Sequence, residues 1–368
     1  MTKAVVKFAA GFLAAMLCAP ASGFSAAKKD TDVPLKETVE AMLRTNHSIR
    51  SLQENRSAVG HEIDNAKSGY GPRLDLTARG GFGRLSDSTT RSYGYDKASP
   101  HYTASLIVTQ PLWDGFATRS RVREAEATYR SLDHRVLDNA NTLALDAIIA
   151  HIDVLRRQQI YKLAENNVKR HEEILGKAKE REALGVDTMA DVSQAQSRLA
   201  RAKSTLTEAK SSLLIGEETY ARLTRLAARN LGPVPMPASM YTNADDVLRE
   251  ARKFNPKVKA YMEDIKAAQA RKEGARAAYS PVINIEAGPS YTDRDSKRQM
   301  RTVDVDVAAV MRWNLFNSWG DVAANKAAAS RVRMSRQTLY DYMDDLKLST
   351  EQSWTEYVSA QEQLAFYR

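Results

Sequence analysis

Cysteine is nearly absent. The 368 residues hold one, Cys18, so neither a disulfide framework nor a thiolate metal site is open to this chain. Lipid attachment needs a small residue just before the modified cysteine, and residue 17 is Leu, so lipidation is not expected. Aromatics make up only 7%, too few for one thick globular core. Long apolar runs are missing as well. The mean hydropathy of −0.47 excludes a bundle of membrane-spanning helices, each of which needs about 20 apolar residues. The greasiest stretch, from Phe8 to Leu17, is too short to span a bilayer. It follows Lys3 and Lys7 and precedes Pro20 and several small residues, the order of a secretory leader with cleavage near 21–27. An exported chain without disulfides must find stability elsewhere, in a closed barrel or a tight oligomer.

Also missing are the marks of catalysis. The six histidines, at 47, 61, 101, 134, 151 and 171, show no i,i+4 ligand pairing. There is no serine elbow, no phosphate-cradling glycine loop and no zinc spacing. Asp344-Asp345 reads as helix surface. An enzyme, a cofactor and a metal are therefore not expected. The net charge of +9 is dispersed, with Lys and Arg alternating with acids as in Lys177 to Arg181. No basic cluster carries interleaved aromatics, so a nucleic-acid partner is not expected either.

What is present begins with repetition. Asn46-His47-Ser48-Ile49 matches Asn255-Pro256-Lys257-Val258, and Gly69-Tyr70-Gly71-Pro72-Arg73-Leu74 matches Ala278-Tyr279-Ser280-Pro281-Val282-Ile283, both at an offset of 209. Gln110-Pro111-Leu112-Trp113-Asp114-Gly115 matches Trp313-Asn314-Leu315-Phe316-Asn317-Ser318 at an offset of 203. Each copy reads as a helix (roughly 46–69 and 255–279), a Tyr-x-Pro break, two strands and a long helix. Residues 1–26 form the leader. The first copy spans 27–237, with a β-hairpin at 72–114 and a helical hairpin at 116–230. The second spans 238–368, with a β-hairpin at 281–316.

The strands alternate. Val303, Val305, Val307, Ala309, Met311, Trp313 and Leu315 fall on one face, and Asp304, Asp306, Ala308, Val310, Arg312 and Asn314 on the other. Ile283, Ile285, Ala287 and Tyr291 keep the same spacing in the partner strand. In the first copy Tyr102, Ala104, Leu106, Val108 and Leu112 alternate with Thr103, Ser105 and Thr109, and Leu74, Leu76, Ala78 and Phe82 do so less cleanly. Segments of about ten such residues fit transmembrane β-strands. A soluble sandwich also alternates. In lipid, however, four strands leave open edges, whereas three copies supply twelve. Asp304, Asp306 and Arg312 are then lumen-facing candidates. Tyr102, Trp113, Trp313 and Phe316, near strand ends, are candidates for a membrane-interface belt.

Proline is absent from Phe116 to Leu184, which predicts a helix of about 100 Å. Val122, Tyr129, Val136 and Leu143 recur every seven residues, and Ile148, Ile152 and Leu155 extend the stripe less regularly. After a break at Leu184-Gly185-Val186-Asp187-Thr188 comes a three-four alternation: Val192, Ala195, Leu199, Ala202, Leu206, Ala209, Leu213, Gly216, Tyr220, Leu223, Ala227. This is a coiled-coil seam. It predicts an antiparallel hairpin with Gly185 at its tip and Asp191 capping the returning helix. The Pro-rich tract 231–237 closes the first copy.

These parts resemble the TolC family of outer-membrane factors. The hairpin-tip pattern is carried by the stretch from Gly185 through Asp191-Val192 and Ala195 to Leu199. The Tyr-x-Pro and Pro-Leu-Trp-Asp-Gly tracts match the family's transitions, and the likeness covers nearly all of the chain after the leader. The resemblance implies an α+β fold with long helical hairpins. Two transmembrane β-hairpins per chain would contribute to a shared 12-stranded barrel and a periplasmic tunnel in a homotrimer. It implies residence in the outer membrane of a Gram-negative bacterium, in contact with its lipid. It also implies a periplasmic adaptor (a membrane fusion protein) and an inner-membrane ABC transporter or proton-driven pump as partners. Gly185, Val186, Asp187, Asp191 and Val192 are the implied docking residues. The wording Gln194-Ala195-Gln196-Ser197-Arg198-Leu199 leans toward members serving type I protein secretion, with a drug or small-molecule efflux duct as the alternative. A reading from another class is a soluble periplasmic coiled-coil scaffold or adaptor. One departure stands out: Arg368 aligns with Glu165, so the second copy reads as truncated, and the family's entrance-constriction residues fall outside it.

Overall fold

A computed structural model of the chain describes residues 33–84, 91–92, 98–235, 241–294 and 300–366. The expected leader, parts of both inter-strand loops and the end of the Pro-rich tract lie outside the described residues. Seven helices and four strands occur among them. In chain order these are α1 (Leu35–Thr45), α2 (His47–Ser68), β1 (Arg73–Arg84), β2 (Ala98–Trp113), α3 (Ala117–Ala183) and α4 (Met189–Thr224). They continue with α5 (Ala244–Phe254), α6 (Pro256–Ala275), β3 (Val282–Arg294), β4 (Met300–Arg312) and α7 (Gly320–Phe366). A 3₁₀ turn, Arg276–Tyr279, joins α6 to β3.

The starts and stops follow local chemistry. The Asn46 side chain accepts from Ser48 N–H at 2.8 Å and opens α2. Asn255 does the same for Lys257 at 2.8 Å and opens α6. Each satisfies backbone donors that a helix start leaves free. Helices α1 and α5, which precede these caps, were not expected from the sequence pattern. Their signal is present in α5: Asn243 caps it, with Asp245 and Asp246 in the first turn and Arg252 and Lys253 in the last.

Helix α3 runs 67 residues without a break. Its upper half packs against α2 on one side and α6 on the other. Val136 is buried there, with Val122, Tyr129 and Leu143 half-buried along the same stripe. The α3–α6 contact is also polar: Arg130 donates to Glu263 at 2.8 Å, Ser131 to Asp264 at 2.5 Å and Arg135 to Asp264 at 2.7 Å. Burial alone pushes Glu263 up. Hydrogen bonds from Lys266 and Arg130 outweigh it and hold the carboxyl below its usual range. Helix α7 packs on the far side of α6, so the helices lie in the order α2-α3-α6-α7.

Lower down, α4 folds back along α3. Ala195, Ala202, Ala209 and Gly216 are buried at seven-residue intervals, with Leu199, Leu206 and Leu213 half-buried between them. Small side chains at the contact let the two backbones close. Two expectations fail in this region. Ile152 is exposed, because α1 and the segment after α4 cover the opposite side of α3, where Ala147, Ala150, His151 and Val154 are buried. Ala227 lies beyond the helix, which stops at Arg225 in a left-handed conformation (φ 60°).

A buried polar network ties this level together. His151 is fully buried, with Nε2 2.9 Å from Gly232 O and Nδ1 3.0 Å from Thr38 Oγ1. Tyr220 OH lies 2.9 Å from the same Thr38 oxygen. A carbonyl only accepts, so Nε2 carries a proton; in a neutral ring Nδ1 then accepts from Thr38, which in turn accepts from Tyr220. Burial holds the Tyr220 phenol above its ordinary range. The chain is pinned here a second time by the bridge between Val33 and Leu231.

The strands form one antiparallel sheet in the order β1-β2-β3-β4. Strand β4 ends at Arg312, so Trp313, Asn314 and Leu315 leave the predicted alternation, and the β-hairpin stops short of Phe316. The chain there turns out of the sheet into two left-handed residues, Ser318 (φ 42°) and Trp319 (φ 65°). The first copy uses the same turn at Gly115 (φ 64°) and Phe116 (φ 68°), at the same offset of 203.

Candidate functional site: the hairpin tip and the two sheet faces

The tip forms where α3 runs out. The Gly185 backbone takes φ 75°, which a side chain disfavours. Its N–H donates to Glu182 O at 2.8 Å, and Val186 N–H donates to Arg181 O at 2.9 Å, closing the end of α3. Asp187 accepts from Arg181 Nε at 3.1 Å. Thr188 and Asp191 then build a reciprocal capping box. Asp191 N–H donates to Thr188 Oγ1 at 3.3 Å, and Thr188 N–H donates to Asp191 Oδ2 at 2.9 Å. The Thr188 hydroxyl also donates to Asp191 Oδ2 at 2.7 Å. These bonds, aided by Arg181, hold the Asp191 carboxyl below its ordinary range.

Of the five tip residues named from the sequence, Gly185 and Val186 are exposed, and Asp187 and Asp191 are engaged within the tip. Val192 is turned into the α3–α4 seam with only 6% of its surface exposed; its place in the three-four alternation already required this. Two residues outside these five docking candidates stand beside Val186. Leu184 is 78% exposed and Met189 is 69% exposed. The tip therefore presents three apolar side chains on a rigid, capped turn.

The sheet has two chemically different faces. Leu74, Leu76, Ala78 and Phe82 of β1 lie opposite Val108, Leu106, Ala104 and Pro100 of β2. On the same face Ala104 and Val108 lie opposite Tyr291 and Ala287 of β3. Ile285, Ala287, Pro289 and Tyr291 of β3 in turn face Ala309, Val307, Val305 and Val303 of β4. These side chains are open, with Val305 72% exposed. The other face carries Arg73, Asp75, Thr77 and Arg79 on β1, Thr103, Ser105 and Thr109 on β2, and Glu286, Ser290 and Thr292 on β3. On β4 it carries Thr302, Asp304, Asp306 and Arg312. Arg312 pairs with Glu286 at 2.8 Å and Arg73 with Asp75 at 2.7 Å. Asp304 and Asp306 are exposed on this polar face. Strands β1 and β4 each have one unpaired edge.

Trp113 and Trp313 lie where sheet meets helices. Trp113 packs edge-on against Phe116 with centroids 4.7 Å apart, and Phe316 packs against Trp319 at 6.2 Å. Trp313 Nε1 donates to Tyr279 O at 3.2 Å. Tyr102 sits near the other end of β2, opposite Gly80. Phe116 and Trp319 were not among the expected interface aromatics, and Tyr279 entered only through its Tyr-x-Pro break; the repeat offset relates Trp319 to Phe116. Among the described residues no group of three or more metal-ligating side chains converges, and no helix is long and apolar enough to cross a membrane.

The family model for the outer membrane efflux protein matches residues 38–227. The chain is 25% identical over 264 residues to the outer membrane efflux protein BepC of Brucella suis, covering 70% of this chain and 56% of that one. To the toluene efflux pump outer membrane protein TtgC of Pseudomonas putida it is 24% identical over 272 residues, covering 72% and 55%. The chain thus spans about half the length of the curated relatives it matches. Among solved structures, the outer membrane protein VceC of Vibrio cholerae superposes with a TM-score of 0.68 at 15% identity, over 89% of this chain and 81% of that one. The family match covers more than half of the sequence and runs from α1 through the whole α3–α4 hairpin. The chain belongs to the outer membrane efflux protein family.

Proposed function

We propose that three copies of this chain form a passive duct in the outer membrane of a Gram-negative bacterium. The single observation that carries this reading is the four-stranded sheet, apolar on one face, polar on the other and open at both edges. In lipid, unpaired edges are not tolerated. Joining β4 of one copy to β1 of the next removes every edge and closes twelve strands around a polar lumen. The strands alternate in direction within the sheet, so that joint is antiparallel like the others. The two copies within the chain, 27–237 and 238–368, are read as the repeating half-units. The recurrence of the left-handed pair at Gly115-Phe116 and Ser318-Trp319 supports that division.

The helices continue as a tunnel in the periplasm. An apolar stripe on α3, including Leu145, Ile149, Ile152, Ile160 and Leu163, is exposed in the single chain and suits coverage by a neighbouring helix. Energy comes from an inner-membrane ABC transporter or proton-driven pump, and a periplasmic adaptor docks on the tip. In that role Leu184, Val186 and Met189 supply the apolar contact, Gly185 permits close approach, and Asp187 and Asp191 hold the turn. Asp304, Asp306 and Arg312 line the lumen. Tyr102, Trp113, Trp313 and Phe316 mark the membrane interfaces. A passive conduit needs no catalytic group and no cofactor.

For the cargo, the family and the names of its relatives support small-molecule efflux. A second reading, type I protein secretion, rests on the wording at 194–199, where Gln194, Ser197 and Arg198 are exposed on α4. Fractionation and amine-reactive cross-linking test the duct. Recovery in the outer membrane, extraction only by detergent and cross-linking to a trimer are expected. A freely soluble monomer in the periplasm would instead make the chain a scaffold. Gene deletion separates the cargoes: raised sensitivity to solvents and drugs supports efflux, and loss of a secreted polypeptide supports secretion.

A further inference from the structure

The two open sheet edges carry opposite, unsatisfied charges on the polar face. Arg79 on β1 and Asp304 and Asp306 on β4 are exposed and have no ion-pair or hydrogen-bond partner among the described residues. The other charges on the same face of these two strands are used within the chain: Arg73 on Asp75, and Arg312 on Glu286. Unpaired charges confined to the two edges suit a partner that brings the opposite edge, a second copy of this chain. This step rests on the barrel reading above and deepens it by fixing the register at the joint.

Register follows from geometry. Straight across the sheet, Arg73 lies level with Thr109, Glu286 and Ala308. The joint must also keep polar side chains on one face, so odd-numbered β1 residues meet even-numbered β4 residues there. The strands of closed barrels tilt by about 35–45°. With a rise of about 3.3 Å per residue and a strand spacing of about 4.8 Å, an offset of about four residues per copy gives roughly 35°, and about six gives roughly 45°. At four, Arg79 of the next copy stands directly opposite Asp306. At six it stands opposite Ala308, with Asp306 its diagonal neighbour, still within reach of a long side chain. Where the offset carries β1 of the next copy toward the C-terminal end of β4, both registers bring Arg79 to Asp306. We propose that Arg79 of one copy pairs with Asp306 of the next and sets the register at which the barrel closes. A slip by one residue would turn every side chain to the wrong face. A joint with no offset would set Arg79 opposite Thr302, with Asp304 its diagonal neighbour, and leave Asp306 unmatched.

The test uses the full chain, purified in detergent, with Cys18 replaced by serine. Arg79→Asp and Asp306→Arg each lower the temperature at which the trimer dissociates by several degrees, and the double reversal recovers most of the loss. The recovery shrinks in high salt, as a pair in a water-filled lumen must. Because reversals can act through folding, cysteine pairs provide a second readout. Arg79→Cys with Asp306→Cys, or with Ala308→Cys, oxidises to covalent dimers and trimers, while Arg79→Cys with Thr302→Cys does not. Intact trimers whose two reversals simply add, or cross-linking through residue 302, overturn the pairing and leave the barrel standing. An unsubstituted protein that never cross-links beyond a monomer removes the barrel itself.

Discussion

Gly115 and Ser318 occupy the same turn in the two copies, yet they meet different surroundings. A Cβ on Gly115 would sit 2.5 Å from Ser280 Cβ, and the backbone there is left-handed. Ser318 holds a left-handed conformation with its side chain exposed. Replacing Gly115 by Ser therefore adds backbone strain and a clash, costing about 2–4 kcal/mol. Ser318→Gly relieves strain and stabilises by up to about 1 kcal/mol. Thermal unfolding of the detergent-purified protein, followed by circular dichroism, distinguishes the two signs. At the tip, the carboxyl of Asp191 is held below its ordinary value in the folded hairpin. Its contribution is present above the unfolded value of about 3.9 and is lost as pH falls through the folded value. Amide exchange of the tip peptide, corrected for intrinsic rates, is expected to quicken below about pH 4. Asp191→Asn is expected to raise exchange at neutral pH and to remove that pH dependence. An unchanged profile in the variant would mean that another group governs the tip.

At the scale of elements, the α3–α4 hairpin shows what a repeating pattern reveals and what it hides. The three-four alternation identified the seam, and the absence of proline identified the length of α3. Both are properties of a chain read residue by residue. The pattern does not say which half of the seam is packed tightly, because that depends on how near the partner helix comes. Here the alanines are buried and the leucines straddle the contact. Enlarging the small set is consequently worse than trimming the large set. Ala202→Leu should destabilise the hairpin by about 1–3 kcal/mol through overpacking, and Leu206→Ala by less, since that side chain is half-exposed in the single chain. Limited proteolysis of the hairpin ranks the two variants. Greater loss from Leu206→Ala would mean that the leucines, not the alanines, set the helix spacing. Helices α1 and α5 were hidden for another reason. Asn46 and Asn255 are strong helix starts, and a strong start masks a helix that ends on the same residue. The exposure of Ile152 was hidden because nothing near it in sequence encodes the arrival of α1 and residue 231 on the other side of α3.

At the scale of the molecule, strand pairing turns four separate alternations into one surface. Each strand's period-two pattern was legible alone, least cleanly in β1, where Gly80, Gly81 and Gly83 interrupt it. Only the register shows that the apolar sides coincide, so that Leu76, Leu106 and Val305 belong to the same face. The tip was legible as a turn, but its exposed apolar group was not, because exposure of Leu184 and Met189 depends on how the capping box aims the chain. The sheet makes the sharpest demand on the proposed membrane setting, since the two faces require opposite solvents. Val305 lies at mid-strand on the apolar face, and Ser105 lies at mid-strand on the polar face. An arginine on a lipid face near the midplane costs about 2–4 kcal/mol, whereas lumen positions tolerate charge. Val305→Arg is therefore expected to reduce trimer in the outer membrane severalfold, and Ser105→Arg to leave it near the unsubstituted level. Quantitative immunoblotting of membrane fractions reads both. If the two arginines were equally tolerated, no face of this sheet would meet lipid, and its open edges would need a water-soluble partner.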